Sequence, residues 1–290
     1  MHYLSLRHSI SILTNCTLSC LYLIFSITVA ASPTQQRIDK DIAAGKAIVV
    51  QIIVALADNK NQWIVPVPES LGNGQELKSN LYWGALYGVK TYLTRKAGWI
   101  KLDSLKPANQ RILERLILKK LFHRNGHAVD VFLVADAWDG RYIMESIEKF
   151  MRFNAGDDQY EITYKNTRLH AGGSSHLIAY IGHNALMDYF GARAMALDKV
   201  TAKQSNPAND AIVLACKSRP YFQTRLEKID AYPLLLTTGL MAPEAYSLDA
   251  AISEWIKGSS DTQVRNAAAK SYNKFQKTGI KAAKHLFGAK

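Results

Sequence analysis

Five short stretches of this chain are almost wholly apolar. They are residues 47–57 (AIVVQIIVALA), 129–135 (VDVFLVA), 177–182 (LIAYIG), 211–215 (AIVLA) and 232–238 (YPLLLTT). A strand with one wet face alternates apolar and polar residues, so strands that are apolar throughout are buried on both faces. Helical spacing fills the gaps at about 80–95, 107–122, 140–153, 185–199, 220–228 and 243–257, with Asn80 placed to cap the first of these helices. Strands alternating with helices predict an α/β fold, a three-layer α-β-α arrangement around a mainly parallel sheet. The polar segment 156–175 has room for a small hairpin around 160–164.

The chain has 290 residues, of which 48% are hydrophobic and 21% charged. That is ordinary globular composition, and the length suits one domain with extensions at either end. No Gly-x-Gly-x-x-Gly or Walker-type loop follows any of the strands, so no nucleotide cofactor is expected. His123, His127, His170 and His176 have no spacing that would gather three or four ligands on zinc, so no metal is expected either.

Residues 1–31 read as an export signal. A weakly basic start is followed by an apolar run, and small residues close it at Thr28-Val29-Ala30-Ala31-Ser32. The other reading is an uncleaved membrane anchor, because the run from Ile10 is nearly long enough to span. The chain is therefore expected outside the cytoplasm, periplasmic or secreted. Cys16 and Cys20 would leave with the signal, so Cys216 would be the one thiol of the mature chain and could form no internal disulfide.

Formal net charge is +12. From Lys257 onward there are seven lysines, one arginine and one aspartate, a net of +7. Residues 258–290 are expected to hold one basic amphipathic helix, at about 262–287, appended to the main domain at 32–257. Ala268, Tyr272, Phe275, Gly279, Ala283 and Leu286 mark its apolar face. Lys270, Lys274, Lys277, Lys281 and Lys284 mark the opposite one. The lysines are either a solvated face or a contact for an anionic surface.

In an open parallel sheet, ligands bind beyond the carboxyl ends of the strands. Asp58, Asp136, His183 and Cys216 each close one of the apolar runs. A thiol is mostly protonated at neutral pH and the thiolate is the nucleophile. A histidine within reach can take its proton and later return it to a leaving amine. Cys216 is thus the candidate nucleophile and His183 the candidate base. A helix starting just after Cys216 would turn its positive end toward the thiolate and a developing oxyanion.

The order YIGHN then LACKS, each at a strand end, resembles the caspase–legumain clan of cysteine peptidases. The resemblance covers about residues 47–255, mostly as a pattern of strands and helices. It implies a caspase-like sheet, a Cys216–His183 dyad and a protein or peptide substrate. The clan usually has Gly after the histidine, where this chain has Asn184; the backbone amide there is the expected oxyanion donor. Ser218, two residues after the cysteine, is compatible with the clan pattern. Clan members that cleave after Arg or Lys line their primary pocket with acids, for which Asp58 is the first candidate here, then Asp136 and Asp188. A different class of function is a non-catalytic exported α/β protein that holds anionic envelope surfaces through its basic C-terminal helix.

Overall fold

A computed structural model describes residues 32–188, 191–204 and 206–288. The expected export signal, with Cys16 and Cys20, lies outside them. From Ser32 onward the chain is one compact unit. No helix among the described residues is long and apolar enough to cross a membrane.

The fold is α/β, with helices on both sides of a seven-stranded sheet. Helix α1 (Pro33–Ala43) leads into β1 (Ile48–Ala55), all eight of whose residues are buried. After a long loop and the short helix α2 (Val89–Arg95) come β2 (Ile100–Leu105), β3 (Ile112–Arg124) and β4 (His127–Trp138). Helix α3 (Ile143–Asn154), the hairpin β5 (Tyr160–Tyr164) and β6 (Thr167–Ala171), and β7 (Leu177–Ile181) follow. Next are α4 (Ala192–Leu197), β8 (Asp210–Leu214), α5 (Ser218–Glu227) and β9 (Tyr232–Leu236). Helices α6 (Ala245–Trp255), α7 (Asp261–Gln276) and α8 (Ile280–Leu286) close the chain.

The strand order is β2-β3-β4-β1-β7-β8-β9. Neighbours from β4 through β9 run parallel, and the β2–β3 and β3–β4 pairings are antiparallel, so β3 alone runs against the rest of the sheet. Side chains alternate across a strand, so β1 feeds two cores at once. Val50, Ile52 and Val54 meet Leu248, Ile252, Val264 and Ala268 of α6 and α7. Ile53 and Ala55 join Ile147 and Phe150 of α3 and Phe222 and Leu226 of α5.

Four stretches differ from the sequence expectation. The helix expected over 185–199 is a 3-10 turn at Ala185–Met187 and the separate short helix α4. Residues 107–122 are not a helix. They are mostly β3, paired over its length with β4 through the turn at Asn125-Gly126, where both residues have positive φ. Asn-Gly is the preferred pair for a tight two-residue hairpin turn. The Leu, Glu, Lys and Arg of this stretch suit a helix, but pairing with β4 overrides that preference.

The helix expected over 80–95 is only Val89–Arg95. Asn80 caps nothing. Its buried amide holds the end of β1 instead, accepting from Ala57 N–H at 3.2 Å and donating to Ala57 C=O at 2.9 Å.

The single C-terminal helix is two. Lys277 and Gly279 have φ of 56° and 86°, which ends α7 and re-aims the chain into α8. Both helices belong to the main core through Val264, Ala268, Tyr272, Ala283, Leu286 and Phe287.

Candidate functional site at the carboxyl edge of β7 and β8

Strands β7 and β8 are paired, parallel neighbours, and their last paired residues are Ile181 and Leu214. Two residues further along each strand come His183 and Cys216. The long loop after β1 rises at the same edge, because β1 pairs with β7 on the other side.

Each segment is fixed in its own way. Gly182 N–H donates to Leu214 C=O at 3.3 Å, and the next residue leaves the strand. Tyr180, whose ring is buried between Phe150 and Phe222, donates its hydroxyl to His183 C=O at 2.9 Å. Asn184 is buried. Its side-chain amide donates to Cys216 C=O at 2.8 Å and its side-chain oxygen accepts from Leu186 N–H at 3.2 Å. Lys217 takes a left-handed conformation, φ 46° and ψ 42°, which turns strand into helix within two residues of Cys216.

His183 and Asp188 are hydrogen-bonded between Nε2 and Oδ2. An ionised carboxylate only accepts, so Nε2 carries the proton and Nδ1 is left as the basic nitrogen. The sulfur of Cys216 faces the backbone of Met241. It accepts from Met241 N–H at 3.4 Å and is within 3.5 Å of Met241 C=O, to which the thiol donates. The thiol and the imidazole thus have separate partners, with no hydrogen bond between them.

Near the thiol lie aromatic and acidic groups that sequence reasoning missed. The phenols of Tyr82 and Tyr272 are held above the ordinary tyrosine range, chiefly by burial, with Glu244 close by adding to it, while the bond from Ala242 N–H acts the other way at Tyr272. Tyr272 OH accepts from Ala242 N–H at 3.1 Å, next to the residue that brackets the sulfur. Glu244 is occupied by Tyr246 OH at 2.7 Å and Gln276 Nε2 at 2.9 Å. No short motif marks these residues, because they reach the edge from the loop after β1, from the start of α6 and from α7.

No known protein-family model matches this chain, and no curated protein matches it. The site therefore rests on its own geometry.

The expected acidic pocket is not open. Asp58 is 2% exposed. It accepts from the backbone N–H groups of Lys60 and Asn61 and from the side-chain amides of Asn61 and Gln75, at 2.8–3.1 Å. It caps its own turn. Asp136 is not at a strand end, since β4 runs on to Trp138. Its carboxylate is buried in a two-pronged pair with Arg115, with Nη2 to Oδ2 at 2.8 Å, and also accepts from Gln51 at 3.3 Å. Ser218 is buried too, donating to Val213 C=O at 3.0 Å.

The start of α5 is likewise committed. Ser218 N–H donates to Thr237 Oγ1 at 3.1 Å, and Arg219 N–H to Thr237 C=O at 2.9 Å. Among the described residues, the backbone N–H groups of Asn184 and Cys216 at this edge have no acceptor. The described residues contain no cluster of acids, histidines and cysteine that could hold a metal ion.

Proposed function

We propose that this chain is an exported cysteine-dependent peptidase or amide hydrolase with a caspase-like arrangement, in which Cys216 is the nucleophile and His183 the base. The observation that carries this reading is the side-by-side, parallel pairing of β7 with β8, each leading within two residues to His183 and Cys216. Asp188 completes a Cys–His–Asp set by fixing the imidazole's orientation and tautomer.

The chemistry runs as follows. In the resting arrangement the thiol is bonded to the backbone of Met241. For the reaction the sulfur must leave Met241 and reach Nδ1 of His183, which takes its proton. The thiolate attacks the substrate carbonyl carbon and the carbonyl electrons move to oxygen. The backbone N–H groups of Asn184 and Cys216, neither of which has an acceptor among the described residues, are the donors available to that oxyanion. The C–N bond then breaks as His183 returns the proton to the amine. Water, deprotonated by His183, releases the acid from sulfur.

The test is labelling of the purified protein by a peptide-like thiol-reactive probe, with peptide hydrolysis as a second readout. Labelling at Cys216, and loss of hydrolysis in both Cys216→Ala and His183→Ala with the fold intact, supports the reading. Full hydrolysis in either variant overturns it.

A second reading has its own support. Lys270, Lys274, Lys277 and Lys281 are exposed, and none has an ion-pair partner within 4 Å among the described residues. A non-catalytic protein held on anionic envelope surfaces would use them. It predicts salt-dependent retention on anionic vesicles that four Lys→Gln replacements abolish, and no effect of blocking Cys216.

A further inference from the structure

A roomy cleft lies away from Cys216 and His183. It has a volume of about 540 Å³ and follows the outer edge of β9, between α5 and α7. Its lining includes Arg219 and Gln223 from α5, Arg265 from α7, Tyr232 from β9, and Asn209 and Thr34.

The edge of β9 is closed to another strand. Pro233 has no N–H to offer, and Arg265 Nε already donates to Leu234 C=O at 2.9 Å. What the cleft offers is charge and unmet polar groups. The Arg219 guanidinium has no carboxylate partner among the described residues. It lies near Arg265, and burial together with that second positive charge lowers its pKa. Besides that backbone bond, Arg265 has a long carboxylate contact, 3.8 Å, to Asp261. Asn209 is 1% exposed, and its side-chain oxygen is buried with no partner while its nitrogen donates to Asn154 C=O and Pro207 C=O. Two half-buried guanidiniums repel each other unless an anion sits with them. The acids that also line the cleft, Glu227 and Asp230, are exposed.

We propose that this cleft binds a small ligand through an oxyanion, a carboxylate or a phosphate, held by Arg219 and Arg265. Forked N–H donors suit either group. The unmet oxygen of Asn209 would take an N–H or O–H of the same ligand. Glu227 and Asp230 limit the site to one anionic group and disfavour a polyanion. The site is independent of the chemistry proposed at Cys216.

Titration calorimetry of the full chain at constant ionic strength tests this, with inorganic phosphate in one arm and N-acetylglycine in the other. Saturable binding is expected, and the arm that saturates at lower concentration tells phosphate from carboxylate. Arg219→Gln should weaken it about tenfold or more, the worth of a charge-assisted hydrogen bond. Arg265→Lys keeps the charge and loses the fork, and should weaken it severalfold. Cys216→Ala should bind as the parent does. Absence of saturable binding in both arms up to about 20 mM, unchanged affinity in a folded Arg219→Gln, or loss of binding in Cys216→Ala would overturn the proposal.

Discussion

The side-chain amide of Asn184 donates to the backbone carbonyl of Cys216 at 2.8 Å. One hydrogen bond thus joins the segment that carries the candidate base to the turn that carries the candidate nucleophile. The same side chain accepts Leu186 N–H, so it also shapes the short turn ahead of Asp188. Asn184 therefore contributes more than a backbone amide. It sets the distance between two strand-end segments whose helices pack elsewhere.

Replacing Asn184 by Ala removes that joint. Two buried backbone groups lose a partner, at roughly 1–2 kcal/mol of stability. Hydrolysis or probe labelling should fall by at least about tenfold while the far-ultraviolet circular dichroism stays that of the parent. Urea unfolding and the labelling rate measured on one sample check both parts. An unchanged labelling rate would remove Asn184 from the site.

Asp188→Asn tests the imidazole's orientation. An amide can donate to Nε2 and stabilise the wrong tautomer, which places the proton on the nitrogen needed as base. The expected loss in kcat is about a hundredfold or more, with KM little changed. A loss confined to KM would mark Asp188 as a substrate contact instead.

Asp136→Asn distinguishes a structural carboxylate from a substrate-binding one. Arg115 would keep its charge in a largely buried place, stacked at 4.4 Å on Tyr160, with no counter-charge. Breaking a buried pair from one side costs about 3–5 kcal/mol. The melting temperature should drop by several degrees, and KM for peptide substrates should not move in the fraction that remains folded.

Acid stability should depend on His176. Burial pushes its pKa down to about 4, although Asp41 beside it acts the other way. Val49 N–H donates to its Nδ1 at 3.2 Å, and Nε2 pairs with Asp41 at 3.1 Å, so the ring is buried neutral. Asp41 is held well below the usual carboxylate range, chiefly by that bond to His176, with Lys46 adding to it. The unfolded chain binds a proton at His176 below about pH 6.5 while the folded one does not. This contribution is therefore fully present above pH 6.5 and is lost as pH falls from there to about 4. It amounts to on the order of 3 kcal/mol. Urea midpoints at pH 7.5 and pH 4.5 should differ in the parent and differ less in His176→Gln.

Several elements were legible in the residues alone. β1, β7, β8 and β9 are short apolar runs, and α3, α5 and α6 follow the spacing of their buried faces. The hairpin of β3 with β4 was not read, although Asn125-Gly126 signals its turn. Strand formation there depends on a partner chain segment, and local preference favoured a helix. The break at Lys277–Gly279 was also missed. A glycine at three-or-four spacing fits an apolar stripe as well as it fits a helix end.

By itself, the sequence determined that a mainly parallel sheet forms and that His183 and Cys216 follow two of its strands. Both results come from local apolar runs, whose burial does not depend on which neighbour they find. Only the tertiary structure decided that those strands are adjacent, that Asp188 rather than Asp58 or Asp136 faces the imidazole, and that the sulfur turns to Met241. Those outcomes depend on which carboxylates find donors first. Asp58 finds them within its own turn and Asp136 finds Arg115 across the sheet, so neither is left for a ligand.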